Sequence, residues 1–203
     1  MTTIRCLALA ALLSASLVAR AEPEIQVGFS PEGSARQLVL ETIAGAKERI
    51  QMLGYAFQAP DIMQALVDAK RRGVQVQVVV DKKRNQNKPS RKAMDFVMSQ
   101  GVELRTNDHF HIHHDKTIIV DGHTVETGSF NFAPSAETLN SENVVVIRNA
   151  PEIVRQYLAH WQSRWDLGKP YDAKSFPEKA AAPPVPWAGS AGSGAFAGND
   201  FAS

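Results

Sequence analysis

The stretch HIHHDKTIIVDGHTVETGSFN, residues 111–131, holds four of the chain's six histidines, together with one lysine, one serine and one asparagine around a short apolar run. The lysine ammonium, serine hydroxyl and asparagine amide are hydrogen-bond donors. Such groups hold the non-bridging oxygens of a phosphate and oppose the charge that builds in its transition state. Histidine is the member of the set that serves as nucleophile or acid–base group near neutral pH. The combination suits phosphoryl transfer without a metal. Two other readings of the same residues stay open. One is a Zn or Cu site drawn from His109, His111, His113, His114 and Asp115; the other is an ordinary polar surface loop. Against the metal, strand alternation turns His113 away from His114, and Lys, Ser and Asn are poor zinc ligands.

Asp121-Gly122, between Ile118-Ile119-Val120 and Thr124-Val125, predicts a two-residue hairpin turn. Pairing outward from it sets Val120 against His123, Ile118 against Val125, Lys116 against Thr127 and His114 against Ser129. Strand residues two apart share a face, so His114 points with Lys116 and Ser129 with Asn131. One hairpin is expected to collect an imidazole, an ammonium, a hydroxyl and a carboxamide on one side.

These residues carry a resemblance. His114-x-Lys116, four residues, Asp121, six residues, Gly128-Ser129-x-Asn131 reproduces the HxK(x4)D(x6)GSxN signature of the phospholipase D superfamily. Over residues 25–170, and closely in VETGSFNFAPSAETLNSENVVVI, the chain resembles the bacterial, periplasmic, single-motif endonucleases of that superfamily. The resemblance implies His114 as nucleophile, passing through a covalent phosphohistidine, with Lys116 and Asn131 as phosphate ligands and Ser129 as a supporting donor. It implies Glu142 as the carboxylate that orients His114, and Asp121 and Gly128 as structural members of the motif. It implies no metal and no cofactor. With one motif per chain where a two-step reaction wants two histidines, it further implies a homodimer with the active sites at its interface. A cysteine–histidine zinc finger, carried by some eukaryotic single-motif relatives, is missing from this sequence.

The elements that must position the motif follow from periodicity. Ile25–Phe29 alternates as a strand, Ser34–Ile50 has helical spacing, and Gln51–Phe57 reads as a strand. A helix capped by Asp61 and stopped by Gly73 leads into a buried strand, Val74–Val80. Ser90–Gln100 is helical, and Val102–Arg105 begins another strand. After the hairpin come a short helix near Ala133–Thr138, a strand Glu142–Ile147 and a helix Pro151–Leu167, whose Trp161 and Trp165 belong to the core. This alternation predicts an α/β/α layered domain around a mixed, largely parallel sheet.

The ends read differently. Arg5, the apolar Cys6–Val18 and Ala19-Arg20-Ala21 form a secretory signal peptide expected to be cut after Ala21, which makes the protein periplasmic or secreted. Cys6, the only cysteine, leaves with it, so no disulfide or cysteine-ligated metal is expected in the mature chain. Residues 22–175 form the expected domain, and 176–203, rich in Ala, Pro, Gly and Ser, an expected disordered tail. Removing residues 1–21 takes away two arginines and no acid. The net charge of +1 then becomes −1, and any polyanion site must be local. DKKRNQNKPSRK, residues 81–92, sets six basic residues against one acid. Lys82, Lys83, Arg84 and Lys88 are its candidate contacts to a nucleic-acid backbone, with Asn85, Gln86 and Asn87 as neutral donors. The leading expectation is thus a metal-independent, sequence-nonspecific endonuclease for DNA, with RNA left open. A phospholipid hydrolase using the same site and a non-enzymatic metal-binding protein are the alternatives. No amphipathic membrane helix beside the motif speaks for stable membrane association.

Overall fold

In the computed structural model, residues 22–176 are described. The proposed signal peptide and almost all of the proposed tail lie outside them. The strands are β1 (Glu24–Ser30), β2 (Arg49–Gly54), β3 (Gln75–Asp81), β4 (Glu103–Asn107), β5 (Lys116–Val120), β6 (Thr124–Gly128), β7 (Glu142–Arg148) and the two-residue β8 (Lys169–Pro170). The helices are α1 (Ser34–Ala44), α2 (Pro60–Arg71), α3 (Lys88–Ser99), α4 (Pro134–Thr138) and α5 (Pro151–Leu167). One sheet runs β1-β7-β6-β5-β2-β3-β4-β8. All of these elements lie in one compact unit ending at Tyr171. Beyond it, Asp172 caps a short turn by accepting from Lys174 N–H.

The element order and the α/β class are as expected. Parallel pairing, however, is confined to β2–β3 and β3–β4; the other five pairings are antiparallel. The sheet is mixed, as expected, but mostly antiparallel rather than largely parallel. Parallel neighbours need a long crossover, which only α2 and α3 provide between adjacent strands; β5 and β6 return through a tight turn. α1 is also shorter than its periodicity suggests. Gly45 caps it, and Ile50, which continues the apolar spacing, belongs to β2.

α5 covers one face of the sheet. Its Val154 and Trp161 pack on Leu53, Val79, Ile119 and Val125, with Trp165 stacked on Trp161 at 5.1 Å. The helices of the β2–α2–β3–α3–β4 crossovers lie side by side on the other face, as right-handed connections require. α1 packs over β5, β6 and β7 and α5 also packs on β6, so β6 has no solvent-facing side at its centre. Glu126, which alternation in an exposed hairpin would turn to water, is fully buried opposite Ile118 and Val146, with both carboxylate oxygens unpartnered. Burial alone pushes its carboxyl up from 4.5 to about 8.

This carboxyl sets a pH dependence of stability. Between pH 4.5 and about 8 the unfolded chain ionises at Glu126 while the folded chain holds its proton, so stability falls as pH rises and levels off above 8. Glu126→Gln should abolish that slope: denaturant midpoints of the variant and the parent coincide near pH 4.5, and the variant is the more stable at pH 8. Identical pH profiles would show that Glu126 is ionised in the fold.

Candidate active site

β5 and β6 pair Thr117 with Thr127, Ile118 with Glu126, Ile119 with Val125 and Val120 with Thr124. The turn thus holds three residues, Asp121–His123, and each cross-strand partner is one residue off the two-residue expectation. Asp121 and Gly122 adopt positive φ (52° and 67°), and His123 N–H closes the turn on Val120 O at 3.1 Å. The Asp121 side chain is used elsewhere. Its carboxylate accepts the backbone N–H groups of Lys47, Glu48 and Arg49 at 2.8, 2.9 and 2.7 Å. Burial works to raise this carboxyl, but the three hydrogen bonds outweigh it and hold it below 3.8.

The returning strand places the GSFN residues by alternation. Phe130 and Phe132 are buried, while Ser129 and Asn131 turn to a cavity. Gly128 is needed for close approach, since a Cβ there would lie 2.1 Å from Asn143 O. Ser129 N–H donates to Asn143 O at 3.1 Å and its Oγ accepts from Asn143 N–H at 3.0 Å, which leaves the hydroxyl proton for a ligand. Asn131 Oδ1 is buried without a partner.

His114, Lys116, Ser129, Asn131 and Glu142 line one cavity of about 570 Å³. The contact implied between Glu142 and His114 is not made within the chain. Glu142 Oε1 instead accepts from Asn140 Nδ2 at 2.8 Å, because Asn140 lies just before it in the turn that enters β7. What packs against the imidazole is Tyr55, directly after β2, edge to ring at 4.5 Å between centroids. Lys116 Nζ donates to His114 O at 2.8 Å and sits 5.1 Å from the centre of the same ring. Lys116 is only 5% exposed. Desolvation pulls its ammonium below the ordinary 10.5, against the opposing charges of Glu142 and Asp115. Sequence reasoning missed Tyr55; its one signal is an aromatic with a polar tip ending an otherwise buried strand.

A second cavity of about 560 Å³ shares the wall formed by His114, Lys116 and Gly128 and extends along Thr127, Tyr157 and His160. The remaining histidines disperse. His113 is buried, its backbone N–H donating to Asp81 Oδ2 at 2.8 Å, and desolvation lowers its imidazole while Asp115 and Asp81 pull it back up. His109 packs on Phe110. Among the described residues no three His, Cys, Asp or Glu side chains are arranged to hold a metal ion.

The basic stretch divides. Lys82 pairs with Asp108 at 3.0 Å, which with Lys169 holds that carboxyl below its ordinary value despite some desolvation. Lys83 and Lys88 are exposed, and the Arg84 guanidinium lies 5.8 Å from the Tyr55 ring centre. Two of the neutral residues are not surface donors. Asn85 is fully buried, donating to Tyr55 O and Asp81 O and accepting Phe57 N–H, and Asn87 caps α3 by accepting Ser90 N–H. A tight connection leaving a central strand has backbone groups to satisfy, and these amides satisfy them.

Residues 39–165 match the family model described as "Cardiolipin synthase, PLD-like domain". A phospholipase D of Rickettsia bellii (strain RML369-C) is 35% identical over 141 residues, covering 70% of this chain and 69% of that protein. The human mitochondrial cardiolipin hydrolase is 30% identical over 164 residues, covering 78% of this chain and 64% of that protein. Among solved structures, Nuc from Salmonella typhimurium, a phospholipase D family member, is 56% identical, with a TM-score of 0.73 over 74% of this chain and 99% of that one.

An edge-to-ring contact contributes ~0.5–1.5 kcal/mol and an exposed cation–π contact ~0.5–1 kcal/mol, so the Tyr55 ring can supply about a tenfold effect on rate. Tyr55→Leu is expected to lower kcat on a phosphodiester about tenfold, and Tyr55→Phe, which keeps the ring, to stay within about twofold. Equal losses in both variants would transfer the role to the phenol hydroxyl.

Proposed function

The chain belongs to the phospholipase D superfamily and is a phosphodiesterase, and on that premise we propose that its substrate is a polynucleotide. One observation carries the reading: Tyr55 joins the motif to the basic stretch. His114 and Lys116 both lie against its ring, and Arg84 approaches the same ring at 5.8 Å. Exposed Lys83 and Lys88 flank Arg84, Lys83 directly before it and Lys88 at the start of α3. A polyanion leaving the site meets successive cations, which a single lipid headgroup does not require. DNA is the expected substrate, with RNA accepted if sugar contacts are few.

In the proposed reaction an unprotonated ring nitrogen of His114 attacks phosphorus. The bond from phosphorus to the leaving sugar oxygen breaks, and that oxygen takes a proton from a second imidazolium. Water then attacks the phosphohistidine, the second histidine accepts the proton, and the P–N bond breaks. Lys116, Ser129 and Asn131 hold the non-bridging oxygens, and Glu142 stabilises the imidazolium form of His114 across the cavity. Asp121 and Gly128 serve the fold of the hairpin.

The second histidine is assigned to His114 of another copy. β1 is an edge strand with Ile25, Val27 and Phe29 exposed at 63%, 58% and 52%. Their partners across β7 are Ile147, Val145 and Asn143, and Asn143 lines the site cavity. An apolar stripe on an open edge calls for cover, and this one begins beside the site, so a second copy docked on it would approach the catalytic cavity. Residues 1–21 support export, to the periplasm or beyond.

Supercoiled plasmid digested in excess EDTA, run beside phosphatidylcholine, tests the function. The expected result is nicking by the parent, none by His114→Ala, and no headgroup release. Loss of nicking on chelation with recovery on adding Zn or Mg would overturn the metal-free reaction, and choline release without nicking would make the enzyme a phospholipase. For the dimer, sedimentation equilibrium should give two copies per particle, and Val27→Asp with Phe29→Asp should yield a monomer that has lost turnover. A fully active monomer would refute the shared site.

A further inference from the structure

We propose that His160, anchored by Asp115, forms a second phosphate-binding position that receives the phosphate next to the scissile one. The inference rests on the polynucleotide reading and deepens it. His114, Lys116 and Gly128 are a wall common to two cavities. A phosphodiester held on that wall has two ester arms, and the two cavities give each arm a place. One cavity carries Ser129, Asn131 and Glu142; the other, about 560 Å³, is lined beyond the shared wall by Thr127, Gln156, Tyr157 and His160 among others. Its volume lies within the ~300–1,000 Å³ of ordinary ligand pockets. Its walls offer hydroxyl, amide and imidazole groups, which suit a sugar-phosphate arm and give an acyl chain little to pack on.

Asp115 and His160 come from different elements and meet at that wall. Asp115, the residue between His114 and Lys116, accepts from His160 Nε2 at 3.1 Å. Its other oxygen faces His113 Nε2 at 3.8 Å. One oxygen of the carboxylate is thereby engaged by the His160 imidazole. With Nε2 occupied, the half-exposed ring of His160 presents Nδ1, which donates to a phosphate oxygen when the ring carries its second proton. No part of the proposed reaction at His114 uses this pair.

The test compares substrates with and without the flanking charge. kcat and KM are measured for bis(p-nitrophenyl) phosphate, which has one phosphate, and for a short oligonucleotide with several. A matched oligonucleotide carries an uncharged methylphosphonate beside the scissile position. His160→Ala and His160→Gln, the latter keeping a donor toward Asp115, should raise KM for the oligonucleotide about tenfold, leaving its kcat and both constants for the small diester within twofold. The methylphosphonate should cost the parent enzyme a similar factor and cost the variants nothing further. Equal losses on all substrates, or a methylphosphonate penalty that persists in both variants, would overturn the subsite. A parent enzyme that turns over the small diester but no oligonucleotide would sink the polynucleotide reading, and this inference with it.

Discussion

The site depends on one carboxylate that lies at the opposite end of its strand. Asp121 binds three consecutive backbone N–H groups, Lys47 to Arg49, at the entrance to β2. Those groups begin a strand and have no ladder partner of their own, so the clamp satisfies them and fixes β5 against β2 in a single register. Ile50 then lies opposite Val120, and Gly54 opposite Lys116. At about 3.4 Å per residue, the four residues between Lys116 and Asp121 carry the constraint the length of the strand. The next residue of β2's chain, Tyr55, is thereby delivered to His114 and Lys116. The four-residue gap in the motif is β5 beyond Lys116, and the six-residue gap is the rest of the turn plus β6 as far as Gly128. Spacing that looks like a chemical signature is a hairpin measured in residues.

At the other end of the hairpin the constraints are steric. Gly128 passes too close to Asn143 O for any side chain, and this closeness lets Ser129 and Asn143 exchange backbone and side-chain hydrogen bonds. Phe130 and Phe132, buried on alternate positions, then fix which way Ser129 and Asn131 face. Lys116 pays for its place: burial lowers its pKa, and Glu142 and Asp115 are the charges that oppose the shift. The ammonium is thus kept nearly dry beside the Tyr55 ring, with Glu142 and Asp115 as the opposing charges that favour its charged form.

Much of this was legible because it rests on periodicity and turn residues. The helix Pro151–Leu167 and the run of strands through Arg105 follow from apolar spacing and from Gly73 and Gly101 at helix ends. The hairpin was legible as a hairpin but not in its register. Asp-Gly signals a two-residue turn by local preference, and only the tertiary bond from Asp121 to β2 explains why His123 joins the turn. Glu126 was illegible for a related reason, because alternation tells which residues share a face but not whether both faces are covered. Asn85 reads as a surface amide until the strand ends it ties together are known. Tyr55 and His160 lie far from the motif in sequence; His160 carries no local mark, and Tyr55 only a polar-tipped aromatic ring at the end of a buried strand.

The place of the site follows from the mixed sheet. β2 has β3 parallel on one side and β5 antiparallel on the other. The carboxyl ends of β2 and β3, with Tyr55 and the basic connection, therefore meet the amino end of β5, with His114 and Lys116, along one edge. In open α/β sheets the crevice lies beyond the carboxyl ends of strands where the order switches direction, because adjacent connections there part company. Here the switch is also a change of polarity. Parallel strands on one side deliver loops that begin at the crevice, among them the one with Lys83, Arg84 and Lys88. The antiparallel strand on the other side delivers a segment arriving at it, His113 to Lys116, whose side chains are braced by the strand that follows. The cationic connection and the motif's histidine and lysine are thus brought together by a single arrangement, and reversing β5 would separate them by the length of the strand.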